Sequence, residues 1–410
     1  LDTECWKPKD WKRKEKAMVR RLLVSTLTSL MLSAIAFGGA GAQDRVKVGL
    51  ILPMTGPFTS TGKQIDAAVR LYMQQNGPTV AGKRVEVILK DDAANPDSTK
   101  RLAQELVVND KVNILAGFGL TPLALATAPI ATEAKVPEIV MAAGTSIITE
   151  RSPYIVRTSF TVPQSCVIVG EWAVKNNIKK VVTLVSDYAP GHDAETSFTE
   201  RFKANGGEVV AALRVPLQNP DFAPFLQRAA DAKPDAIFVF VPSGAGAIVM
   251  KQFVERGLAR AGMRMIGPGD ITDDDILPGY GDVALGIITA HFYATAHPSA
   301  KNTAYVEAFR KANPGMRPNF MSVGGYDGMH LIYEALKKTG GKADGDSLVA
   351  AMKGMAWESP RGPITIDPDT RDIIQNIYMR KVEKVGSELQ NVEFATFEAV
   401  KDPVKAASKK

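Results

Sequence analysis

From residue 46 onward the chain repeats one unit: an apolar run of strand length, a turn, then apolar residues at helical spacing. The runs 46–52, 85–89, 113–117 and 138–141 predict strands, and 62–76, 97–110 and 123–134 predict the helices between them. The same grammar restarts after Thr161, with helices at 166–176, 193–204 and 221–232 and strands at 180–185, 208–210, 236–241, 265–266 and 287–290. Helices over 303–312, 322–339 and 346–353 follow, and 362–367 with 375–382 reads as a hairpin. Strands alternating with helices of about 10–15 residues imply mostly parallel sheets covered by helices on both faces. At 410 residues the chain exceeds one ordinary core, so the two βα series read as two domains of one α/β architecture.

The first 43 residues do not follow this grammar. Met18-Val19-Arg20-Arg21, the apolar stretch 22–37 and the small residues Ala40 and Ala42 have the order of a secretory leader over 18–42, cleaved near Ala42. The apolar stretch carries Ser25, Thr26, Thr28, Ser29 and Ser33 and is short for a membrane span. Residues 1–17 are then an upstream extension outside the native mature protein. The leader and extension hold 8 of the 50 Lys and Arg and 4 of the 44 Asp and Glu, leaving 42 against 40. That balance leaves no basic stripe for nucleic acid. Cys166 then has no partner for an intrachain disulfide. The expected mature protein is soluble, exported to the periplasm, monomeric and not inserted in a membrane.

In open parallel sheets, ligands bind beyond the carboxyl ends of the strands. Two loops stand there. In 117–122, Gly119 permits close backbone approach, Thr121 can cap the helix with its hydroxyl, and Pro122 suits its first turn. In 142–146, the small residues Ala142, Ala143 and Gly144 leave amides free, and Thr145 or Ser146 adds a hydroxyl. Together they make an anion site at two neighbouring helix starts.

Catalytic and cofactor motifs fail. Gly117-Phe118-Gly119 meets Pro122, and Gly244-Ala245-Gly246 meets Val249, where a dinucleotide fingerprint needs Gly. Ser243 lacks the Gly at 241 of a nucleophile elbow. His192, His291, His297 and His330 show no paired ligand spacing, and the acidic run Asp270, Asp273, Asp274 and Asp275 reads as a solvated helix start. Neither an enzyme nor a cofactor or metal is expected.

The segment 49–57 (Gly-Leu-Ile-Leu-Pro-Met-Thr-Gly-Pro), Asp91-Asp92 with Pro96, the run from Val136-Pro137 to Thr149, and Asp187-Tyr188-Ala189-Pro190-Gly191 resemble the branched-chain amino-acid (leucine/isoleucine/valine) binding proteins of ABC importers, over about residues 45–385. The resemblance implies the type I periplasmic binding protein fold: two Rossmann-like lobes with parallel central sheets, joined by a three-strand hinge near Thr161, Ala290 and Pro360–Pro363. Lobe 1 would comprise 44–161 and 291–360, lobe 2 would comprise 162–290 and 361–400, and 401–410 would be a polar tail.

It also implies that Gly119, Leu120, Thr121, Ala142, Ala143, Gly144 and Thr145 hold a ligand carboxylate, with Tyr188, Ser243 and Asp270 closing from the second lobe. Relatives that bind amino acids place a Glu after Gly-Pro for the ammonium; here the order is Gly267-Pro268-Gly269-Asp270. Asp270 replaces that Glu one position on, or the ligand lacks an amine, which would remove the need for a buried counter-charge. Phe58, Phe118, Tyr188 and Tyr326 could wall an aromatic ring. An aromatic or other amine-free acid, a branched-chain-type amino acid and an amide all stay open as ligand. The implied partners are an inner-membrane permease and its ATPase subunits. A periplasmic sensor on the same fold, signalling to a receptor, is the rival reading.

Overall fold

The computed structural model describes residues 44–408. The candidate leader and upstream extension lie outside them. The first half of the chain forms a six-stranded sheet from β1 (Arg45–Leu52), β2 (Thr79–Val80), β3 (Lys83–Asp91), β4 (Ile114–Gly117), β5 (Glu138–Val140) and β6 (Ile155–Arg157). Its order is β2-β3-β1-β4-β5-β6, with β1, β4, β5 and β6 parallel. The helices α1 (Thr59–Asn76), α2 (Pro96–Val108) and α3 (Thr121–Ala134) connect these strands.

The second sheet takes β7 (Lys180–Ser186), β8 (Glu208–Val215), β9 (Ala236–Phe240), β10 (Arg264–Pro268) and β11 (Ile288–His291) in the order β8-β7-β9-β10-β11, all parallel. Helices α4 (Val162–Lys175), α5 (Ala189–Ala204), α6 (Ala223–Asp231) and α7 (Ser243–Glu255) cover it. After β11 the chain returns to the first half as α8 (Ala300–Ala312), α9 (Phe320–Lys338) and α10 (Gly345–Met352), with α9 packed along α1. It then rejoins the second sheet as four antiparallel strands: β12 (Ala356–Ser359), β13 (Gly362–Ile366), β14 (Ile373–Val385) and β15 (Glu388–Val400).

Central strands read as unbroken apolar runs because helices cover both faces; every residue of β9 is buried. The sequence pattern omitted β2, β6, β12, α7 and β15. The first four of these are short or rich in small residues, and β15 alternates with charged side chains on an exposed face. Helices α1 and α5 begin three and four residues before their apolar periodicity does, because their first turns are small and polar.

The expected polar tail is instead the helix α11 (Pro403–Ser408). Asp402 and Lys405 are buried, and the Lys405 ammonium bonds Asp372 and Thr149. Asp372 is a buried carboxylate that also holds the fully buried Arg157 at 3.0 Å, so the tail supplies a second cation to an interior site.

Candidate functional site

Each sheet has one point where consecutive connections leave in opposite directions. In the first it lies between β1 and β4, in the second between β7 and β9. The carboxyl ends at these two switch points face one another across a cleft. Phe58, Thr61, Gly119, Leu120, Thr121, Ala142, Ala143 and Gly144 line it from the first half. Phe160, Val162, Tyr188, Pro190, Phe240, Pro242, Ser243 and Asp270 line it from the crossover and the second half, and Met321 from α9. Open solvent included, the space between them is ≈ 410 Å³.

The loop after β4 turns sharply because Gly117 (φ 110°) and Phe118 (φ 66°) are both left-handed. A Cβ on Gly117 would sit 2.3 Å from the Ile51 carbonyl oxygen, so only glycine fits. The turn buries Phe118 completely in the first-half core with Ile51, Leu115 and Val140. The expectation that Phe118 walls the ligand is therefore corrected. Tyr326 is corrected too: on α9 it packs edge-on to Tyr72 and Tyr305, and its hydroxyl donates to Gln75.

Thr121 does not cap α3. The cap position is Leu120, extended and without a side-chain bond, and Thr121 is already inside the helix. Its buried hydroxyl meets that of Thr145 at 2.9 Å. Two hydroxyls sharing one mutual bond keep one O–H to donate elsewhere. The Thr145 carbonyl accepts from Arg157, which fixes the pair. The Ala143 amide is committed to the Phe118 carbonyl at 3.1 Å, so Ala143 lines the cleft without offering that donor. The Ser146 amide donates to Asp193 of α5 at 2.9 Å, a bond between the two halves.

On the other wall, Tyr188 precedes α5 and stacks on Phe240 with an interplanar angle of 13°. Burial first, then the nearby Asp270 charge, holds its hydroxyl well above the usual phenol range, so it stays a proton donor. Asp270 is buried, and its Oδ2 has no hydrogen-bond partner among the described residues. The nearest cationic candidate is His291, with Nε2 at 3.7 Å. Burial drives the His291 pKa down to about 4, so at neutral pH the ring is uncharged and offers no counter-ion.

The acidic run is not a solvated helix start. Asp270, Asp273 and Asp274 are all buried. Asp273 accepts from Asn319 at 2.9 Å, while Asp274 faces Arg317 at 3.4 Å and accepts from Asn391 at 3.1 Å. The run turns inward because these donors arrive from the returning segment and β15, far away in sequence. Among the described residues no cluster of His, Cys, Asp and Glu could hold a metal ion.

Sequence reasoning missed Phe160, Val162, Phe240 and Met321. Phe240 was findable as the last residue of a strand at a switch point. The others depend on how the crossovers are placed.

A family model described as periplasmic binding protein matches residues 45–387. The chain is 46% identical over 382 residues to Leu/Ile/Val-binding protein homolog 6 of Brucella melitensis biotype 1, covering 92% of this chain and 97% of that one. A crystal structure of an ABC transporter solute-binding protein from Rhodopseudomonas palustris BisB5, in complex with 3,4-dihydroxybenzoic acid, is 71% identical with a TM-score of 0.87, covering 88% and 99%. A second, from R. palustris with 4-hydroxybenzoate, is 42% identical with a TM-score of 0.86, covering 88% and 99%.

Proposed function

Since this chain belongs to the periplasmic binding protein family and is the ligand-capturing component of an ABC importer, we propose that its cargo is a hydroxylated benzoate. The observation that carries this reading is the pairing of unlike ends across an aromatic slot. One end offers donors: the Thr121–Thr145 hydroxyl pair and the Thr121 amide, since Pro122 has no N–H and the Leu123 amide donates to the Leu120 carbonyl at 3.1 Å. The other presents Asp270, an acceptor whose Oδ2 has no donor among the described residues. Phe58, Phe160, Tyr188 and Phe240 line the same cleft. A ring acid carrying a hydroxyl complements all three: the carboxylate takes the donors, the ring fills the slot, and the hydroxyl donates to Asp270. The relatives solved with hydroxybenzoates support the same class.

The protein takes no part in catalysis and closes on its ligand for delivery to an inner-membrane permease driven by ATPase subunits. The family's description supports a periplasmic location, and no helix among the described residues is long and apolar enough to cross a membrane.

Calorimetry with 3,4-dihydroxybenzoate, 4-hydroxybenzoate, benzoate and leucine tests the reading. The hydroxylated acids should bind about tenfold or more above benzoate, the worth of a hydrogen bond to a charged group, and Asp270→Asn should shrink that preference. Leucine binding above every benzoate would overturn it.

Thr121→Val should weaken all the acids alike by about 1–3 kcal/mol, because the lost donor serves the carboxylate they share. Unchanged affinity would remove Thr121 from the anion site.

A further inference from the structure

The lip of the first half, residues 57–60, meets the second half at three places that are not all part of the ligand cavity. Phe58, with Leu120 and Leu123, forms a small apolar cluster, and Leu217, from the loop after β8, packs into it from across the cleft. The Ser60 hydroxyl donates to the Asp275 carboxylate. The chain at Gly244, at the start of α7, comes so near Pro57 that a Cβ there would lie 3.1 Å from the Pro57 carbonyl oxygen. Leu217, Ser60, Asp275 and Gly244 do not line the cavity.

We propose that these contacts form a latch whose closure, more than any ligand contact of its own, sets how long the cargo is held. The inference rests on reading the cleft as the ligand site. When binding is coupled to closure, the observed dissociation constant scales inversely with the closing equilibrium, so a contact made only on closing strengthens binding without touching the ligand. Leu217 is the principal element, since its partly buried apolar side chain packs against the Phe58–Leu120–Leu123 cluster of the opposite half. The Ser60–Asp275 pair is solvent-exposed and weaker. Close approach at Gly244 makes the latch sensitive to any side chain placed there.

Stopped-flow measurements on the full chain with 3,4-dihydroxybenzoate test this. Leu217→Ala should raise the dissociation rate about tenfold, and Gly244→Val, which wedges the lip, at least as much, with association rates within about twofold of wild type. The melting temperature of the ligand-free protein should stay put, a result that loss of a core side chain would not give. Wild-type dissociation rates in both variants would overturn the latch, as would a change confined to association. If Leu217→Ala does not fold, Gly244→Val and Ser60→Ala carry the test. Failure of the wild type to bind 3,4-dihydroxybenzoate would count against the cargo assignment alone, and the same traces would then be recorded with whichever of benzoate or leucine binds.

Discussion

Asp327→Ala should lower the stability of the protein by about 3–5 kcal/mol, the usual cost of leaving one member of a buried ion pair alone. Asp327 on α9 and Arg361, in the turn between β12 and β13, are both almost fully buried, and their charged atoms approach to 2.8 Å. The rest of the guanidinium is spent on the crossovers. It donates to the carbonyls of Thr158 and Ser159 in the first crossover and to Gln375 of β14, and it lies 4.8 Å above the Phe292 ring in the second. Asp327 in turn accepts from Trp357 and Ser359, where the chain crosses for the third time. One ion pair thus ties together all three passages between the sheets. Without the carboxylate, a buried cation keeps only neutral acceptors. Urea midpoints should show a large drop for Asp327→Ala and a smaller one for Asp327→Asn, which keeps an acceptor oxygen. A loss below about 1 kcal/mol for the alanine variant would mean that water reaches the crossover and screens Arg361.

None of this pairing could be read from the sequence, since Asp327 and Arg361 sit in unrelated stretches and only the returning topology joins them. The alternation of apolar runs and helical periods did carry the two parallel sheets, because buried strands and amphipathic helices differ in period whatever surrounds them. The cleft loops 117–122 and 142–146 were reachable for the same reason: they follow predicted strands at their carboxyl ends. What failed depended on direction or on distant partners. Phe118 belongs to a site loop, yet its left-handed backbone sends the ring into the core. Thr121 has the composition of a cap, yet the helix begins with Leu120 as cap and frees the hydroxyl for Thr145. Asp273 and Asp274 look like surface acids until Asn319, Arg317 and Asn391 are brought to them. Lys405 looks like tail until Asp372 is found beneath it.

Glu138→Gln should change how the stability of the protein depends on pH. Glu138 opens β5, which pairs with a parallel neighbour on each side, and it is wholly buried. Its Oε2 accepts from Thr127 at 3.0 Å, and its Oε1 has no partner among the described residues. Burial pushes its carboxyl well above the ordinary carboxylate range, only partly opposed by Thr127. The sign follows from that direction. A carboxyl raised in the folded state is protonated there while the unfolded chain ionises, so its contribution is complete below the ordinary carboxylate range. It is lost as pH rises toward the folded value, at about 1.4 kcal/mol per pH unit. Glutamine keeps the shape and the acceptor but does not titrate. Wild type and Glu138→Gln should therefore have similar stability near pH 4 and diverge as the solution approaches neutrality, with the variant the more stable. Guanidinium midpoints taken from pH 4 to 7 would measure the divergence. Parallel curves across that range would mean that the carboxylate ionises in place, and β5 would then need a cation or water beside Glu138 to carry the loop from Met141 to Thr145 into the cleft.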